Sequence, residues 1–200
     1  MSTDYDITIK QGSTFALTLK YGQPQFTVKA ITGITKSGQA VVTATGHGLT
    51  IDWPVWVVGV AGMDQLNHTA DELRQACAAY YGYYVDANSL RLDVDTTRFG
   101  TYTSGGEVLY HPPVNLTGYT ARMQIRETVE STATLHSMTT EDGGITLGGA
   151  AGTITLLISA TDTAAFTFES GVYDLELVAG DGTVTTVIEG NVCLVSETTR

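Results

Sequence analysis

Metal chemistry needs clustered His, Cys, Asp or Glu, and nucleophilic catalysis needs a thiol or hydroxyl beside a base. The sequence carries His47, His68, His111 and His136, and none stands in an HxxxH or HExxH arrangement. They read as turn or solvated histidines. Asp93-Val94-Asp95 places two carboxylates on one face of an extended segment, and Glu141-Asp142-Gly143-Gly144 gathers acid in a turn. Neither has the alternating oxygen ligands of an EF-hand loop, so both read as solvated carboxylates. Cys77 sits among alanines, with Arg74 one turn away and no base named by the sequence, which makes it a packing residue. There is no GxSxG, no Walker-type loop and no GxGxxG after a strand. No catalytic residue, cofactor or metal is expected, and the chain reads as a non-enzyme.

Aromatic residues are the more unusual feature. Tyr80, Tyr81, Tyr83 and Tyr84 cluster around Gly82, and Trp53 and Trp56 lie in a short apolar stretch. Tyrosine presents a rigid face and a polar tip, which suits a protein interface or a sugar-binding surface. In a strand, alternate tyrosines would also simply face core and solvent. These six residues are the candidate interface.

Composition limits the partners. The 200 residues carry 21 acidic and 10 basic side chains, a net charge of −11, which speaks against phosphate contacts and hence against nucleic acid. Charged residues make up only 16%, and 33 threonines supply much of the polarity. Threonine is β-branched and fits a pleated, half-buried surface, so the composition leans to all-β. Two cysteines, Cys77 and Cys193, are too few for a disulfide framework and are expected as reduced, partly buried thiols. The N-terminal residues show no basic segment followed by an apolar run. The apolar stretch Trp53–Met63 is too short for a membrane span. A soluble protein from a reducing compartment is expected, with no membrane partner. The triplets Asn67-His68-Thr69 and Asn115-Leu116-Thr117 then have no meaning as glycosylation sites.

The elements that must position these residues are mostly strands. Asp4–Lys10 and Thr14–Lys20 alternate with period two. Phe26–Thr35, Ala40–Thr45, Val55–Val60, Tyr80–Val85, Leu90–Val94 and Glu107–His111 follow, with turns at 36–39, 86–89 and 104–106. Thr69–Ala79 predicts the one convincing helix, because Thr69 and Glu72 form a capping-box pattern ahead of good helix formers. After Pro112-Pro113 come strands at 119–126, 132–138, 153–159, 172–178 and 183–188, and 160–166 suits a single helical turn. Short strands at this spacing indicate a sandwich. The change of texture between the prolines gives a discontinuous β-sandwich domain over 1–25 and 112–200, interrupted by an inserted module over 26–111. Insertion at a hairpin tip is thermodynamically cheap.

The stretch from Ala30 to Leu49, ending in Gly46-His47-Gly48-Leu49, resembles a β-module of tailed-bacteriophage proteins, as do Val58–Met63, Leu66-Asn67 and Asp95–Val108 with its Tyr102-Thr103-Ser104-Gly105-Gly106. That module is labelled after the first catalytic-cysteine half-domain of ubiquitin-activating enzymes. The segment Thr69–Ala79 is a departure from its pattern, and no ubiquitin chemistry follows. The flanks Ile7–Phe15, Val114–Arg126, Gly171–Leu177 and Gly190–Val195 are similar to the immunoglobulin-like N-terminal domains of phage baseplate and tail proteins, with Ser13 where an Asp is usual. The resemblance implies an all-β fold: an immunoglobulin-like β-sandwich interrupted by a small β-barrel-like insert with one short helix. It implies a structural adaptor of the virion, assembled in the host bacterial cytoplasm. Multiple copies or a homo-oligomeric ring would sit on the tail, baseplate or neck, linking neighbouring subunits or fibres. The alternatives are a capsid decoration or head–tail connector protein, and a carbohydrate-binding module for host glycans.

Overall fold

The computed structural model describes residues 3–198 of the 200. In chain order, the strands are β1 (Thr3–Asp4), β2 (Ile7–Lys10), β3 (Phe15–Lys20), β4 (Thr27–Ala30), β5 (Gly33–Ile34), β6 (Val41–Thr43), β7 (Trp53–Ala61), β8 (Tyr80–Asp86) and β9 (Ser89–Leu92). They continue with β10 (Ser104–Tyr110), β11 (Thr120–Arg126), β12 (His136–Thr139), β13 (Ile145–Leu147), β14 (Thr153–Ile158), the helix α1 (Ala160–Ala164), β15 (Ser170–Val178) and β16 (Val184–Val195). The chain divides into two compact units, Met1–Tyr21 with Asn115–Arg200, and Gly22–Val114. The crossings fall a few residues from the prolines, and both prolines of the pair 112–113 lie within the insert. There Gly22 bridges Pro113, and the Gln23 N–H donates to the Pro112 carbonyl at 2.8 Å, tying the two ends of the insert together.

The first unit is an all-β sandwich. One sheet runs β12-β11-β15-β16, with β1 and β2 both pairing parallel to β16, and the other runs β13-β14-β3. This is the immunoglobulin order C′-C-F-G and D-E-B, with β3 as strand B and β16 as strand G. The insert therefore occupies the B–C connection. Alternation along each strand sends one set of residues inward: Met123 and Ile125 from β11, Leu175 and Leu177 from β15, and Ile154, Leu156 and Ile158 from β14 are all buried. The final strand is longer than the sequence indicated, continuing to Val195 because β2 pairs along its second half.

The second unit is a closed barrel. Its sheet order is β4-β10-β7-β8-β9-β6-β5, and the two ends, β4 and β5, are successive parts of one run of chain. That run changes partner midway: the Ile31 N–H donates to Gly106 of β10, and the Thr32 N–H donates to Thr43 of β6. Closure removes the free edges that an open sheet would present. Val42, Trp53, Val55, Val57, Leu90, Leu92 and Val108 fill the interior. Ser104-Gly105-Gly106, a turn on sequence grounds, lies inside β10 opposite Gly59–Ala61 of β7.

The expected helix over 69–79 is corrected to two single 3-10 turns, Glu72–Arg74 and Ala76–Ala78. Its capping box does form: the Glu72 carboxylate accepts from the Thr69 N–H at 2.7 Å, and the Glu72 N–H donates to Thr69 Oγ1 at 3.3 Å. The ladder then stops at Gln75, which is extended at φ −115° and ψ 111°. No residue of either turn is buried, so no packed apolar face supports a helix too short to stand alone. Cys77 and Cys193 are both free, and both are exposed instead of partly buried. Among the described residues, no helix is long and apolar enough to cross a membrane.

Three tyrosines make stability depend on alkaline pH. Burial raises the hydroxyl pKa of Tyr80, Tyr110 and Tyr173, and nearby Tyr5 and Asp6 add to the effect at Tyr173. A folded value above the unfolded one of about 10 means that the contribution is complete below that pH. It is lost as the pH rises through the higher folded values. Thermal midpoints are therefore expected to fall steeply above about pH 10, and Tyr173→Phe should flatten that fall; an unchanged alkaline slope in the variant would count against the assignment.

Candidate docking surface on the inserted barrel

The six aromatic candidates separate into three groups. Trp53 is 2% exposed and Trp56 is 4% exposed, so both belong to packing and are withdrawn from the surface. The Trp53 indole N–H donates to the His111 carbonyl at 2.7 Å. Trp56, out of phase with Trp53, Val55 and Val57, packs edge-on to Phe26 and His111 and donates its indole N–H to Glu72 at 3.2 Å. Their positions follow from strand periodicity inside a barrel wall, which the sequence cannot distinguish from an exposed apolar patch.

Tyr80 and Tyr84 fall on the inward register of β8. The Tyr80 hydroxyl donates to the Leu66 carbonyl at 3.1 Å, and its ring lies edge-on to His68. Tyr84, at the barrel end, is nevertheless as exposed as Tyr81, each at 39%, and meets His47 edge-on. Tyr81 and Tyr83 alternate with these residues and face outward, their ring centroids 4.8 Å apart at 62°. The Arg91 guanidinium lies 4.3 Å above the Tyr83 ring and donates to Gln39 Oε1 at 2.8 Å. Asp93 and Asp52 brace the strand by accepting the backbone N–H groups of Tyr81 and Tyr84 at 2.9 and 2.8 Å. The result is a held aromatic–guanidinium surface on β8 and β9, with hydrogen-bonding groups around two rings.

Arg91 escaped the sequence reading. Counting outward from the hairpin turn at 86–89 would pair Arg91 with Tyr84; a β-bulge at Val85 shifts the register by one residue and brings Arg91 beside Tyr83 instead. The other chemistry-bearing residues go to local structure. Asp93 lies beyond the end of β9, and Asp95 binds its own Thr97 through N–H and hydroxyl, so they do not act as a pair on one strand face. Hydrogen bonds from Thr97 hold the Asp95 carboxyl below its usual range. Asp142 is held low in the same way by the Gly144 and Thr139 N–H groups.

Two of the four histidines, His47 and His68, are structural. His47 is completely buried, unlike the solvated residue expected: its Nδ1 accepts from the Leu49 N–H at 3.1 Å, its Nε2 donates to the Asp86 carbonyl at 2.7 Å, and its own carbonyl accepts from the Tyr110 hydroxyl. His68 repeats the pattern, accepting from the Val57 N–H at 3.0 Å and donating to the Ala78 carbonyl at 2.8 Å. Asn67 behaves as a piece of strand, with both side-chain ends bonded to Val60 at 2.8 Å. Among the described residues, no three His, Cys, Asp or Glu gather in a way that could hold a metal ion.

No known protein family matches the chain, and no curated protein matches it.

Proposed function

We propose that this chain is a non-enzymatic structural adaptor of a tailed-phage virion, carried in several copies on the tail, baseplate or neck, where it links neighbouring subunits or fibres. The observation that carries the reading is the convergence of the phage-module motifs. Gly46–Leu49, Val58–Met63, Leu66-Asn67 and Asp95–Val108 are spread along the insert, and each builds part of one barrel. His47 joins the Asp86 turn to Tyr110, Asn67 zips onto Val60, and the Tyr102 hydroxyl donates to Ile31 at 3.2 Å. These residues serve a scaffold, which supports a resemblance of fold and not of chemistry. An immunoglobulin-like sandwich with a rigid inserted barrel suits docking, since binding costs least when surfaces are preorganised.

Tyr81, Tyr83 and Arg91 are the residues offered to a neighbouring virion protein, a combination enriched where interface energy concentrates. A glycan-binding role is the second reading, because exposed tyrosines also stack on sugars. Arg91 disfavours it by covering one face of Tyr83. Mass spectrometry of purified particles is expected to find the chain in multiple copies per virion, and its absence from particles would sink the proposal. The double variant Tyr81→Ala, Tyr83→Ala is expected to fold normally and to lower incorporation by about ten-fold or more. Incorporation equal to wild type would move the docking surface elsewhere, and saturable glycan binding lost in the variant would favour the second reading.

A further inference from the structure

The outer face of the larger sandwich sheet holds a shallow depression of about 490 Å³. Its charges are segregated by strand. Arg122 and Arg126 stand on β11, whereas Asp174 and Glu176 stand on β15 and Glu189 on β16. Pairing places Arg122 beside Glu176, Gln124 beside Asp174, and Asp174 beside Glu189. Arg122 Nε and Glu176 Oε2 are 2.6 Å apart, so an ion pair lies across the two strands with its positive end toward β11. Val129, 80% exposed in the loop after β11, stands on the rim.

The geometry points to this face as a self-association surface, on which a second copy of the chain sits about a twofold axis running parallel to the strands between β11 and β15. Symmetry selects that axis. A twofold along the strands exchanges left and right across the face, bringing β11 of each copy over β15 of the other. Each Arg122–Glu176 pair then lies antiparallel to its symmetry copy, making a square of alternating charge. A twofold across the strands would instead lay arginines over arginines and carboxylates over carboxylates. Like charges held together are strongly disfavoured when an interface excludes water.

Two further observations agree with an arriving cation. Burial, together with Glu176 and Glu189, raises the Asp174 carboxyl above its usual range even though Arg122 opposes the shift. The same axis lays Gln124 of the second copy over Asp174 and its Arg122 guanidinium over the neighbouring Glu176, which offsets that repulsion. The rim residue Val129 offers an apolar knob beside Arg126, which the same axis lays over the apolar Val172 of the other copy. The net charge of −11 repels separate copies at long range, but salt at physiological strength screens that repulsion beyond about 8 Å while acting less on pairs in contact. Self-association is independent of the virion proposal and is measured on the purified chain.

Sedimentation equilibrium of the full chain is expected to show a monomer–dimer equilibrium. Arg122→Glu makes the cross-strand pair at 122 and 176 wholly acidic, and Glu176→Arg makes that pair wholly basic. Each alone is expected to weaken dimerisation by about 100-fold, because symmetry repeats the like-charge contact twice. An equimolar mixture of the two is expected to dimerise again as a heterodimer. Val129→Asp, in an exposed loop, should weaken dimerisation by about ten-fold with an unchanged near-ultraviolet circular dichroism spectrum. A wild-type chain that stays monomeric at every concentration overturns the proposal and leaves the face to a different protein. So does a dimer that survives both reversals, or a mixture that stays monomeric.

Discussion

Replacing Gly100 with alanine is expected to unfold the inserted barrel under conditions in which the sandwich still holds. A Cβ on Gly100 would lie 1.8 Å from the Gly62 carbonyl oxygen and 3.0 Å from its carbon. Gly62 is constrained in turn: its φ is +82°, and a Cβ there would lie 2.2 Å from the Thr101 carbonyl oxygen. Both obstacles are backbone, so no side-chain rotation relieves them, and the two segments must separate. Those segments carry the start of the Met63–Leu66 turn and the loop leading into β10, so separation loosens the barrel wall itself. The cost should be about 3 kcal/mol or more, the upper range for overpacking. Both tryptophans lie in this unit, so their fluorescence reports barrel unfolding, while hydrogen exchange in β11 and β15 reports the sandwich. The barrel transition should move to much lower urea and the sandwich amides should stay protected. Gly38→Ala, where nothing lies within 4 Å of the added carbon, should stay within about 0.5 kcal/mol of wild type. Equal effects at both glycines would refute the close-approach argument.

Trp53→Ala is expected to cost about 3–5 kcal/mol, as for other large aromatic side chains removed from cores. Its ring packs in the barrel interior with Val55, Val57 and Leu92. Removing it also leaves the His111 carbonyl without the indole N–H that now serves it at 2.7 Å, a loss of about 1 kcal/mol or more. Trp53→Phe should recover part of the packing and none of the hydrogen bond. Tyr81→Ala, on the outer face, should change the thermal midpoint little. The contrast separates a core residue from a docking residue by stability alone. A Trp53→Ala chain that melts like wild type but fails to enter particles would return the indole to the surface.

The local signals in the sequence were largely sound. Period-two alternation located most strands, and most glycine-bearing turns bracketed them. Ser104-Gly105-Gly106 fell inside β10, however, and the strand expected at 132–138 is confined to His136–Thr139. Ser159 caps the short helix α1 through its bond from the Asp162 N–H, as an N-terminal signal should. The Thr69–Glu72 capping box formed as well, yet the helix behind it did not, because capping satisfies donors without supplying a face to bury. His47 and Asn67 were invisible as structural residues, since their partners lie at Asp86, Tyr110 and Val60 and only the fold brings them near.

By itself, the sequence determined the class of structure and its segmentation: an acidic, threonine-rich, all-β chain whose flanks and centre differ in texture. Such properties arise from residue propensity and nearest neighbours along the chain. Tertiary structure alone decided which side of each strand became interior. Alternation separates two faces without saying which one a second layer covers, so Trp53 went inward, Tyr81 and Tyr83 outward, and Arg91 over Tyr83. It also decided closure of the barrel through the partner change at Ile31 and Thr32, and the pairing that sets the arginines of β11 beside the carboxylates of β15 and β16. Both depend on register between distant segments, where a slip of one residue would turn every side chain to the opposite face.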